Sequence, residues 1–195
     1  MMKKVLVMFA VLGLAAAAQA VLIDDFEGYA LGNVRDVASP PWTAVDNTGQ
    51  ADIFDDGTGN QVLGFGWNSG WRGTYNDSIV PVADTSSAAT LFMRLYANHE
   101  DLDHSVGLAD VPGAEINWFD DFEIQVAVTR NDTAGTVDLK GRNAGVVDFL
   151  ASLNTGQWYN VWVVIDQTAD LYDLYLTTGT AGATAADQVG FDLAF

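Results

Sequence analysis

The chain has 195 residues, with 26 acidic against eight basic side chains and a formal charge of −18. Such a surface repels nucleic acid and anionic lipid, which argues against both as partners, and it repels acidic polysaccharides unless cations bridge the contact. There is no cysteine and there are only two histidines, so disulfides and thiolate metal sites are excluded and a zinc centre is disfavoured.

The first twenty residues read as a targeting segment. Lys3 and Lys4 precede a 14-residue apolar run from Val5 to Ala18, and Ala18-Gln19-Ala20 forms a small-residue exit before Val21. Charged start, short apolar core and A-x-A exit are the parts of a secretory signal peptide. The run is too short to span a bilayer, which takes about 20 apolar residues. Cleavage is expected after Ala20, in the manner of a bacterial exported protein, with no integral membrane segment remaining. The leader holds two of the eight basic residues and no acidic one, so residues 21–195 carry a formal charge of −20. These 175 residues suit one domain with a full core.

Beyond Val21 the chain alternates short apolar runs with Gly, Asn, Asp and Thr, and no long 3.6-residue period occurs. This is the pattern of an all-β sandwich or barrel. In chain order, strands are expected at 22–27, 51–54, 61–66 and 72–80. Next come 91–97, with Leu91, Met93, Leu95 and Ala97 inward and Phe92, Arg94 and Tyr96 outward, then 105–109. In 122–128, Phe122, Ile124, Val126 and Val128 face the core, while Asp121, Glu123 and Gln125 make the opposite face. Strands at 136–140 and 146–150 follow. The clearest pair is a hairpin. Tyr159, Val161, Val163 and Ile165 form one apolar face, and after a break at 167–170, Tyr172, Leu174 and Leu176 form its partner. Residues 177–187 read as a loop. The apolar segment 189–195 is strand-like, and its position at the end of the sequence suggests that a final strand is missing. So many strands of similar spacing favour two packed antiparallel sheets over a small closed barrel.

Several blocks carry a family likeness. They are Ile23-Asp24-Asp25-Phe26-Glu27-Gly28-Tyr29, Asp56-Gly57-Thr58-Gly59-Asn60-Gln61-Val62-Leu63 and Thr90-Leu91-Phe92-Met93-Arg94. The last is Gly156-Gln157-Trp158-Tyr159-Asn160-Val161-Trp162 with Asp166 and Tyr172-Asp173-Leu174-Tyr175. Together they resemble the concanavalin A-like lectin/glucanase superfamily, and within it the laminin G-like jelly-roll domains of exported bacterial proteins. The likeness runs through most of 21–195, and its most specific part is the Trp-Tyr-Asn-Val strand followed by Tyr-Asp-x-Tyr. It implies a two-sheet antiparallel β-sandwich of jelly-roll type with one concave face. It does not fix an activity, since lectins, glycosidases, lyases and adhesion modules share this architecture.

The catalytic relatives in this superfamily place three acids along one strand as Glu-x-Asp-x-x-Glu, and no such run occurs here. Glu100-Asp101-Leu102-Asp103-His104 is the nearest acidic cluster and reads as a loop. Asp121 and Glu123 share a face as a candidate carboxylate pair, or as an ordinary solvated strand face. Ser105 and His104 are strand neighbours pointing opposite ways, and His99 and His104 read as solvated loop residues. No enzymatic site is therefore expected. Calcium takes six to eight oxygen ligands, and Asp24, Asp25 and Glu27 together with Asp52, Asp55 and Asp56 offer them. Asp56-Gly57 is equally a hairpin turn. Sugar rings stack on aromatic planes and hydrogen-bond to Asn, Asp, Arg and Gln. Trp67, Trp71, Arg72 and Tyr75 concentrate these types among glycines, and Arg94 and Tyr96 extend the candidate surface. Aromatic residues also fill jelly-roll cores, the role expected of Trp42, Trp158 and Trp162. The leading expectation is a non-catalytic binding module for a glycan or cell-surface polysaccharide. The alternatives are a cell-surface structural or adhesion protein with no glycan ligand, and a divergent glycosidase or lyase.

Overall fold

Alternation along each strand decides which side chains meet, and here it sorts the chain into sheets with one apolar face each. A computed structural model describes residues 24–37, 42–44, 51–65, 74–76, 89–116, 119–180 and 182–195. The described chain is all-β apart from a four-residue helix, α1 (Val34–Val37), and short 3-10 turns. The strands are β1 (Gly32–Asn33), β2 (Trp42–Ala44), β3 (Ala51–Asp55), β4 (Gln61–Phe65), β5 (Thr74–Asn76), β6 (Ala89–Tyr96) and β7 (Asp103–Leu108). They continue with β8 (Ile124–Arg130), β9 (Thr136–Asn143), β10 (Val146–Asn154), β11 (Trp158–Asp166), β12 (Leu171–Thr177) and β13 (Gln188–Ala194).

Two four-stranded antiparallel sheets dominate, in the orders β10-β9-β8-β7 and β13-β12-β11-β6. Their inner faces meet in one hydrophobic cluster. Ile124, Val126, Val128, Val137, Leu139 and Leu153 come from the first sheet, and Tyr159, Val161, Val163, Ile165, Tyr172, Leu174 and Leu193 from the second. The arrangement is consistent with a β-sandwich. Tyr172 also ties the sheets through polar bonds, its hydroxyl donating to the Arg142 and Gln125 carbonyls. A β1-β3-β4 sheet and a β2-β5 ribbon hold the N-terminal part. There Val34, Ala51 and Ile53 make a second small core with Phe26, Tyr29, Trp42 and Phe65 around it.

The expected strands at 51–54, 61–66, 91–97 and 105–109 and the hairpin from 158 to 177 are present within a residue or two. Of the strand expected at 72–80, Thr74–Asn76 forms β5 and the rest lies outside the described residues. Residues 24–27, by contrast, form no strand. Asp24 accepts the Phe26 N–H at 2.7 Å and Asp25 the Glu27 N–H at 3.2 Å, so local Asx turns take the backbone donors that a sheet would need. The strands expected at 136–140 and 146–150 are longer than their apolar runs, reaching Asn143 and Asn154, and they form one hairpin.

Candidate functional site

The outer face of the β13-β12-β11-β6 sheet carries the largest aromatic grouping among the described residues. Strand pairing puts Trp158 opposite Tyr96, Asn160 opposite Arg94 and Trp162 opposite Phe92, with Tyr175 on the far side of Trp162. Because Tyr159, Val161 and Val163 take the inner face, these side chains must stand outward. Phe92 and Trp162 are 5.1 Å apart between ring centroids, and so are Tyr96 and Trp158. The Arg94 guanidinium lies 4.7 Å over the Trp158 ring, a cation–π contact on this outer face. Phe92 is 50 % and Tyr96 46 % exposed, so the rings present open area rather than filling a core. Between them Asn160 is buried, donating to the Gly179 carbonyl at 2.7 Å and to Thr177 Oγ1 at 3.4 Å. That bond ties the segment after β12 to the sheet beside the rings.

Trp158 and Trp162 are thus not the core residues that their size suggests. Position on the strand outranks hydrophobicity: one face of β11 is already full, and an aromatic residue on the other face stays half-exposed. Trp42 does pack inside, 5.6 Å from Phe26, and its indole N–H donates to Asp24. Of the predicted sugar contacts, Arg94 and Tyr96 fall within the aromatic face. Tyr75 is a half-buried residue of β5 packed directly on Gly113, where a methyl group would collide with the ring. Trp67, Trp71 and Arg72 lie outside the described residues. Phe92 was expected outward with Arg94 and Tyr96 but was not named as a sugar contact, nor was Tyr175, and Trp158 and Trp162 were expected in the core.

The six candidate calcium ligands are spread over the chain's own donors. Asp24 accepts from the Tyr29 hydroxyl at 2.8 Å besides Trp42 and Phe26. Burial and this carboxylate together push the Tyr29 hydroxyl up to about 12. Asp25 accepts from the Glu27 N–H, Glu27 from the Gln61 N–H at 2.9 Å, and Asp52 from the Asn33 amide at 3.2 Å. Asp55 accepts the N–H groups of Gly57 and Gly59, and Asp56 both donors of Thr58. The Thr58 bonds hold the Asp56 carboxyl below its ordinary range. The pair therefore builds the β3–β4 turn, with Gly57 and Gly59 at positive φ. Among the described residues no three His, Asp or Glu side chains converge as a metal cage needs.

The acidic cluster before β7 is divided as well. Glu100 accepts the Gly135 N–H at 2.8 Å and Asp101 pairs with Arg130 at 2.9 Å, while Asp103 and His104 belong to β7. His104 is not a solvated loop residue. It is half-buried, stands opposite Val128 and stacks on Phe65 of β4 at 5.8 Å, and burial lowers its basicity against the opposing pull of Asp103. Asp121 ends a 3-10 turn and Glu123 precedes β8, so the two do not share a strand face. The face that begins at Gln125 is closed to solvent, with Gln125 2 % and Ala127 6 % exposed. No helix among the described residues is long and apolar enough to cross a membrane. No family model, curated protein or solved structure matches the chain.

Proposed function

We propose that the chain is an exported, non-catalytic carbohydrate-binding module built on a concanavalin A-like jelly roll. The observation that carries this reading is the outward aromatic face of β6 and β11, where Phe92, Tyr96, Trp158 and Trp162 lie beside Arg94. The C–H faces of sugar rings stack on such planes, and arginine and asparagine side chains orient the hydroxyls. The charge of −20 after leader removal selects for uncharged glycans.

Affinity chromatography on immobilised neutral polysaccharides tests the reading. The native chain is retarded on at least one of them, and Phe92→Ala together with Trp162→Ala weakens retention at least tenfold. Equal retention of native and doubly substituted protein, both folded by circular dichroism, removes the face from the function. A native chain that passes every column favours a second reading, a cell-surface structural or adhesion protein without a glycan ligand. That alternative has its own support in the apolar residues exposed on edge strands, Val146, Val147 and Phe149 on β10 and Phe191 on β13.

A further inference from the structure

The aromatic pairs on the outer face of β6 and β11 repeat. Phe92 with Trp162 and Tyr96 with Trp158 each have ring centroids 5.1 Å apart, and their planes cross at 43° and 44°. Register produces the repeat. Phe92 and Tyr96 are four residues apart on β6, and their partners Trp162 and Trp158 are four apart on the antiparallel β11. Four residues of strand advance about 13 Å, so two like pairs stand at that spacing along the strand direction. Within each pair the roles differ. Phe92 and Tyr96 are exposed, at 50 % and 46 %, whereas Trp158 and Trp162 are half-buried beside them. Arg94 already lies over the Trp158 ring, which leaves Tyr96 as the open ring of the second pair.

Charge and spacing narrow what lies on this strip. The outward positions are Thr90, Phe92, Arg94 and Tyr96 on β6 and Trp158, Asn160, Trp162 and Val164 on β11. None is a carboxylate, in a chain with 26 acidic residues. The strip therefore complements an uncharged ligand, while the acidic surface around it repels anions. Arg94 leaves the sheet between Phe92 and Tyr96 and supplies N–H donors for hydroxyl groups. A site that repeats at a fixed interval fits a ligand that repeats. A pyranose ring with its linking oxygen adds about 5 Å to an extended chain, given bonds of about 1.5 Å. Rings resting on Phe92 and Tyr96 are then two or three units apart. We propose that the strip binds three or four consecutive neutral pyranose units laid along β6, the end rings on Phe92 and Tyr96 and Arg94 on the hydroxyls between. This rests on the carbohydrate reading of the face and adds the length and direction of the bound segment.

Two contacts on one ligand make the second intramolecular, so affinity climbs once the ligand spans both rings and then levels off. Calorimetric titration of the full chain with cello-, manno-, xylo- and laminari-oligosaccharides of one to six units tests this. In at least one series the association constant rises at least tenfold from the disaccharide to the tetrasaccharide, and less than threefold from there to the hexasaccharide. Phe92→Ala and Tyr96→Ala each return the tetrasaccharide to the affinity of the disaccharide, and Phe92→Tyr keeps the rise. Both rings are half-exposed, so truncation spares the core. Either alanine variant decides the matter if the other does not fold. A series bound equally at every length overturns the two-contact strip and leaves the carbohydrate reading standing. A rise that survives in both alanine variants puts the sugar elsewhere and overturns the strip as well. Absence of binding in every series also overturns it, and retention on the polysaccharide columns then decides whether the carbohydrate reading falls too.

Discussion

His104 and Tyr172 show how single residues join parts of this molecule that are far apart in sequence. His104 sits on β7 yet stacks on Phe65 of β4, so it couples the N-terminal sheet to the edge of the larger one. Its buried ring resists protonation. As the pH falls below the ordinary histidine value of 6.5, the unfolded chain takes up a proton that the folded chain refuses, and stability declines. His104→Gln should flatten that decline between about pH 6.5 and 5, above the range where carboxylates titrate. Urea midpoints of both proteins across this interval check it, and parallel profiles would count against the assignment. Tyr172 is 1 % exposed and bonds to carbonyls of β8 and β9 from across the core. Tyr172→Phe leaves those carbonyls short of a donor while keeping the packing. It should cost about 1–2 kcal/mol by chemical denaturation.

At the scale of elements, the β9–β10 hairpin is the most informative. Its turn residues Ala144 and Gly145 have φ of 48° and 82°, the two-residue geometry that matches strand twist but penalises an alanine. Ala144→Asn should therefore raise stability by about 0.5–1 kcal/mol, provided the Ala144 N–H bond to the Ala194 carbonyl survives, as the unchanged backbone allows. Thermal melts of the two proteins decide it, and a lower melting temperature would contradict the turn geometry. The same hairpin shows what the sequence hid. Gly141-Arg142-Asn143-Ala144-Gly145 reads as punctuation, so two short strands were expected where one long hairpin forms. Gly141 is no breaker. A Cβ there would lie 2.9 Å from the Leu150 and Leu193 methyl groups, so the glycine admits their side chains to the core. Strand faces with clean alternation, such as both faces of 91–97 and the inner face of 158–166, were legible residue by residue. The aromatic face was half legible, because alternation placed Arg94 and Tyr96 while size alone sent Trp158 and Trp162 inward. The N-terminal carboxylates were ambiguous for a chemical reason. Asx turns and calcium sites both use carboxylates beside backbone N–H groups or turns, and the sequence does not say which donors the oxygens meet.

For the whole molecule, charge is the property with the widest reach. Eight basic residues face 26 acidic ones, and four of the bases already have partners: Arg94 on Trp158, Arg130 with Asp101, Lys140 near Asp138 and Arg142 with Asp120. Acidic side chains thus outnumber basic ones more than three to one, and their mutual repulsion is largely unbalanced. Folding gathers them at short range, whereas the unfolded chain spreads them out, so repulsion subtracts from stability. Salt shortens its range from about 30 Å at 0.01 M to about 10 Å at 0.1 M. Raising sodium chloride across that interval should increase the melting temperature by about 2–4 °C, which corresponds to about 1 kcal/mol for a domain of this size. A melting temperature that falls would mean that the few ion pairs outweigh the repulsion. The same screening separates two kinds of glycan contact. Stacking of a neutral sugar on Phe92 and Trp162 carries little net charge, so retention on a neutral polysaccharide should barely change with salt. An acidic polysaccharide is repelled at low salt and gains contact only as the repulsion is screened. Retention measured at both salt levels on both kinds of column thus tells an aromatic contact from an ionic one.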